Sequence, residues 1–116
     1  MRVLITALVL SAGSLLAHSA LAADAAAGEA KFKQLCSTCH GQSGQGDGPA
    51  SASLNPQPRD MSDSEWQESV DDDHIRTVIK DGGAAVGLAA TMAPFGHSLN
   101  DEDLDNLVAY IRSLDD

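Results

Sequence analysis

Cys36-Ser37-Thr38-Cys39-His40 decides how this chain is read. Two thiols three residues apart, followed at once by a histidine, form the C-x-x-C-H spacing of c-type haem attachment. The spacing has a chemical reason. The two sulfurs can add across the two vinyl groups of one porphyrin, and the resulting thioethers prevent dissociation. His40 is then held below the ring with an imidazole nitrogen aimed at the iron, as a proximal ligand. The chain has no other cysteines, so neither thiol is left for a structural disulfide. Two other chemistries use a bare C-x-x-C. A thioredoxin-like redox pair wants a βαβ context, and half of a zinc site wants a second Cys or His pair at ligand spacing. The sequence shows no convincing strand, and His18, His74 and His97 are scattered.

Working outward, residues 1–22 read as a secretory leader. Arg2 supplies the positive start, Val3 to Leu10 the apolar stretch, and Ala20-Leu21-Ala22 the small-x-small cleavage pattern. The alternative is an uncleaved anchor. Ser11, Gly13 and Ser14 interrupt the segment, whereas a membrane span wants about 20 mostly apolar residues. Cleavage after Ala22 leaves residues 23–116 as one exported domain, expected in the periplasm with no stable membrane insertion. His18 leaves with the leader.

The whole chain carries 7 basic and 17 acidic residues, a net charge of −10. A basic patch is absent, which excludes nucleic acid as a partner class. Aromatic side chains are limited to Phe32, Trp66, Phe95 and Tyr110. A domain this small buries a limited share of its surface. A large apolar disc at its centre would supply the missing core.

Apolar residues recur at helical spacing in three places, and no convincing strand is seen. Asp24 can cap a helix from Ala25 to Leu35, with Gly28, Phe32 and Leu35 on one face. Gly41 to Met61 is irregular, rich in glycine and proline, and long enough to wrap one side of a cofactor. A short helical turn is expected at Ser64–Ser69, and a second clear helix over Asp72–Lys80, capped by Asp71 and ended by Gly82-Gly83. The last helix is the best specified. Asn100 caps it, Asp101, Glu102 and Asp103 fill its first turn, and Leu99 and Leu104 form a hydrophobic staple. The triplets Asp71–Asp73 and Asp101–Asp103 read as helix N-terminal charge, and neither matches a calcium loop.

Iron bound by one histidine has an opposite face to fill. Candidates are Met92, Met61, His97, His74 and water. Met92 has the strongest case. It lies in Ala90-Thr91-Met92-Ala93-Pro94-Phe95-Gly96, a run before the last helix that can cross the far face of a ring. Met61 follows the proline-rich loop and remains a rival. Either methionine could instead be a gap-filler.

In this ordered set the chain resembles class I c-type cytochromes. The residues that carry the resemblance are Gly28 and Phe32, Cys36-Ser37-Thr38-Cys39-His40-Gly41, Gly46-Asp47-Gly48-Pro49-Ala50, Pro58-Arg59-Asp60, Met92-Ala93-Pro94-Phe95-Gly96 and Leu107-Val108-Ala109-Tyr110-Ile111. The resemblance implies an all-α fold class, a cytochrome c-like fold of three to four helices around one covalently attached haem c. The first and last helices would cross at Gly28, with Phe32 and Tyr110 nearby. It implies axial ligation by His40 and Met92, and a Pro49 carbonyl that accepts a hydrogen bond from His40. Arg59 would lie near a haem propionate, with Trp66 as a further donor or as an apolar wedge. Two departures are visible. Similar chains often carry an aromatic where Met61 stands, and Met-Pro-Pro where this chain has Met92-Ala93-Pro94.

The function implied is one-electron transfer in the periplasm, not enzymatic catalysis. The expected partners are a donor and an acceptor redox protein, each docking through a basic patch, with the carrier itself a monomer. The main alternative is a haem c subunit of a periplasmic dehydrogenase or other oxidoreductase. A gas-binding haem sensor is a third.

Overall fold

A computed structural model describes Gly13 and residues 22–116. The expected leader, His18 included, lies outside the described residues except at Gly13 and Ala22. Among the described residues no helix is long and apolar enough to cross a membrane.

Helix α1 (Ala25–Leu35) starts where the Asp24 carboxylate accepts hydrogen bonds from the Ala26 and Ala27 N–H groups. The single turn α2 (Ser37–His40) follows directly, and 3-10 turns occur at Ser51–Ser53 and Gly83–Val86. Helix α3 (Ser64–Ser69) is capped by Asp63, and α4 (Asp72–Asp81) by Asp71, whose carboxylate accepts from the His74 N–H at 2.7 Å. Helix α5 (Asp101–Ser113) carries a full capping box. Asn100 Oδ1 accepts from the Asp103 N–H at 2.8 Å, and Asp103 accepts from the Asn100 N–H at 3.1 Å. Among the described residues every regular element is helical, as the resemblance implies.

α1 and α5 cross where both sequences allow a close approach. A Cβ on Gly28 would overlap the backbone carbonyl of Asn106, so a side chain here would push the helices apart. The Asn106 side chain completes the contact by accepting the Asp24 N–H at 2.7 Å. One helical turn further on, the Phe32 and Tyr110 rings meet edge to face, with centroids 5.1 Å apart. Leu104, Leu107 and Ile111 present the buried stripe of α5, and Ile75 and Ile79 of α4 join the same core. Each such aliphatic side chain contributes about 1.5–3 kcal/mol by leaving water. The expected staple is present, because Leu99 and Leu104 are both buried.

The acidic triplets sit in helix first turns, where the dipole favours them. Some also tie α4 to α5. Arg76 pairs with Asp101 at 3.0 Å and with Asp105, and Arg112 pairs with Asp72 at 2.7 Å. Among the described residues no group of three or more His, Cys, Asp or Glu is placed to hold a metal ion.

A buried polar hub closes the lower end of the fold. Gln67 donates to the Met61 carbonyl at 2.7 Å and the Ile111 carbonyl at 2.8 Å. Its own Oε1 accepts from Arg112 Nη1 at 3.0 Å. Arg112 also donates to the Gln67 and Val70 carbonyls, both at 2.6 Å. Every hydrogen-bonding group of the Gln67 side chain is therefore used, which is what its burial demands.

Candidate functional site

The last turn of α1 delivers the motif. Cys36 ends the helix, its N–H donating to the Phe32 carbonyl at 2.8 Å. Its own carbonyl then accepts from Cys39 at 3.2 Å and His40 at 2.9 Å. One tight turn thus holds Cys36, Cys39 and His40 together. Both thiols are free and half-buried. Burial, and secondarily the neighbouring Cys39, push the Cys36 thiol up to about 11. A dithiol redox pair needs the opposite shift, toward thiolate, so the environment argues against that chemistry.

His40 packs its ring 6.1 Å from Phe32, and burial lowers its pKa, which favours the neutral imidazole that binds metals. Its Nδ1 is buried without a hydrogen-bond partner among the described residues. A buried polar atom with no protein partner needs an explanation. A neutral imidazole beside two free thiols at haem spacing fits a metalloporphyrin bound through this turn. The expected hydrogen bond to the Pro49 carbonyl is not formed. Pro49 is exposed, and the loop around it meets the motif through its own N–H groups instead.

Those N–H groups make a clasp. Gly46 donates to the His40 carbonyl at 2.8 Å, Gly48 to Cys39 at 3.2 Å and Ala50 to Thr38 at 3.0 Å. A Cβ on Gly48 would strike the Thr38 and Ser37 carbonyls, so this approach requires glycine.

The two candidate methionines are held differently. Met61 is fixed at both backbone groups, its N–H on the Gly44 carbonyl at 2.8 Å and its carbonyl on Gln67 at 2.7 Å. Its side chain packs against the main core. Met92 lies on a loop laid across the end of α4. Gly83 donates to the Met92 carbonyl at 2.9 Å, Phe95 to Ile79 at 2.9 Å and Gly96 to Lys80 at 3.0 Å. The loop backbone is anchored, and the half-buried Met92 side chain is not among those packed on the core. His97 is exposed, and His74 lies in the first turn of α4.

Arg59 and Trp66 come together in one shallow cleft with Asp63, Glu65 and Ser69. Arg59 is exposed, and Trp66 also packs partly on the core. Sequence reasoning missed Gln67, Arg112 and Asn106 as structural determinants. Asn106 alone left a trace, as a polar residue within the apolar stripe of α5.

A family model described as cytochrome c oxidase, cbb3-type, subunit III, matches residues 23–111. The chain belongs to the c-type cytochromes. This cytochrome is 36% identical over 95 residues to cytochrome c-554(547) of Halothiobacillus neapolitanus, with 80% of this chain and 99% of that protein covered. It is also 36% identical over 92 residues to cytochrome c-554(548) of Halomonas halodenitrificans, covering 79% and 98%. Among solved structures, the KustC0563 c-type cytochrome superposes with a TM-score of 0.63 at 28% identity, covering 77% of this chain and 98% of that one. The fold is therefore that of a small class I cytochrome c. Its cofactor is covalently bound haem c, and its role is electron transfer with redox partners.

Proposed function

We propose that this cytochrome is an exported one-electron carrier whose haem is attached through Cys36 and Cys39 and ligated by His40 and Met92. Haem c supplies reversible cycling between ferric and ferrous iron. The polypeptide contributes position and environment. Cys36 and Cys39 fix the ring to the turn that carries His40. The Gly46–Ala50 clasp holds that turn, and Phe32 packs against the imidazole. Arg59 and Trp66 share a cleft with Asp63, Glu65 and Ser69, in which Arg59 would be the group to meet a propionate. With His40 and Met92 both holding the iron, no coordination site would remain for a substrate, which fits a carrier and not an enzyme.

The observation that carries the ligand assignment is the contrast between the two methionines. Met61 is partly buried and packed against the core, whereas the half-buried Met92 is presented from an anchored loop and is not packed on that core. Absorption spectra of the exported protein in both oxidation states test it. The ferric sulfur-to-iron band should vanish in Met92→Ala and survive in Met61→Leu. The reverse result would assign the ligand to Met61.

The leader and the haem motif both support a periplasmic location, since c-type attachment takes place outside the bacterial cytoplasm. A second reading has one observation behind it, the description of the family model as an oxidase subunit. Stable co-purification with a catalytic partner would favour the subunit.

A further inference from the structure

The groove between α4 and α5 contains a backbone position that electron transfer does not use. Ala23 lies in it beside Asp72, Asp73 and Arg76 of α4 and Asp105 and Arg112 of α5. The neighbouring chain is held in place. The Asp24 N–H is bound by the buried Asn106 side chain at 2.7 Å, and the Asp24 carboxylate is engaged in capping α1.

The charges in this groove do not balance. Arg76 pairs with Asp105 and Asp101, and Arg112 pairs with Asp72. Asp73 has no ion-pair partner among the described residues. Three carboxylates thus share the groove with two guanidinium groups, and the chain enters it as a neutral amide at Ala23.

We infer that removal of the leader completes this groove, the new α-ammonium of Ala23 acting as its third cation. The inference rests on the proposed cleavage after Ala22. Hydrolysis of the Ala22–Ala23 bond takes up one water, leaving a carboxylate on Ala22 and, at neutral pH, an ammonium on Ala23. Asn106 and the Asp24 cap hold the next residue, so the ammonium of Ala23 enters the groove that Asp73 and Asp105 also line, and processing adds a charge where acid is in excess. The partly exposed geometry makes this a modest electrostatic contact, screened by salt.

An unperturbed α-amine titrates near 7.7–8.0, and nearby carboxylates raise that value by favouring the charged form. A raised folded-state pKa contributes stability that is fully present below about pH 7.7. That contribution is lost as pH rises through the folded value.

The test uses the mature holoprotein at low salt. Intact mass fixes the terminus, and 13C-dimethylation of the amine reports its titration by NMR. A midpoint above about 8, lowered by Asp73→Asn and by Asp105→Asn but not by Glu68→Gln, is the expected result. A terminus at Ala23 with a midpoint at or below about 8, unmoved by Asp73→Asn, overturns the inference. A terminus elsewhere overturns the cleavage assignment instead. The groove is then tested by the same titration on protein cut at Ala23 through an engineered protease site.

Discussion

Gly28 faces the backbone carbonyl of Asn106 so closely that there is no room for a β-carbon between the first and last helices. Gly28→Ala must therefore separate the helices or distort one of them, at a cost of about 1–3 kcal/mol. Denaturant unfolding of the holoprotein should show this as a lower midpoint with an unchanged slope. A variant as stable as the parent would mean that the crossing is looser than described.

Gln67→Leu should be more damaging than its place on a short helix suggests. It strips the buried carbonyls of Met61 and Ile111 of their shared donor and takes an acceptor from Arg112. Each buried group left without a partner costs about 1–3 kcal/mol. Thermal unfolding measures the loss, and an unchanged visible spectrum would show that the haem pocket itself is intact.

Asn100→Ala removes the side-chain acceptor of a reciprocal cap and should cost about 1 kcal/mol. Asn100→Ser keeps an acceptor and should recover most of it. Equal stability of the two variants in urea would remove the cap from the account.

Tyr110 gives a pH signature. Burial, reinforced by the Glu29 charge and partly opposed by Lys33, raises its phenol above the ordinary value. The neutral form is the one the fold favours. Its contribution is present below about pH 10 and is lost as pH rises through the folded value. Tyr110→Phe removes this loss, so its stability should fall less steeply than the parent's in unfolding experiments above about pH 10.

With 17 acidic residues against 7 basic ones, docking to a partner that presents a basic patch should be steered by charge. Electron-transfer rates with such a partner should fall as salt rises. Rates indifferent to ionic strength would mean that an uncharged surface does the docking.

The helices were legible because their signals are local. Asp24, Asp71 and Asn100 each cap the helix expected of them, α3 spans the expected Ser64–Ser69, and α4 runs one residue past Lys80. The motif turn was equally plain, since Cys36, Cys39 and His40 are neighbours in sequence. What stayed hidden depends on partners distant along the chain. Gly41 to Met61 read as irregular because backbone donors such as those of Gly46, Gly48 and Ala50 leave no mark in the sequence. Gln67 drew no reading at all, because nothing beside it announces Ile111 or Arg112. For the same reason the two methionines could be ranked by sequence position but not told apart by their surroundings. The bond drawn from His40 to Pro49 came from resemblance alone; His40 Nδ1 has no partner among the described residues, and what the structure shows of that loop is its N–H groups on the motif's carbonyls.

The clasp formed by Gly46, Gly48 and Ala50 has a kinetic consequence. It ties down the turn that carries His40 through backbone hydrogen bonds, which do not sense a metal's valence. Atoms around an iron bound there would then shift little when a single charge is gained or given up. A hop to another protein would then not have to wait for this part of the polypeptide to rearrange.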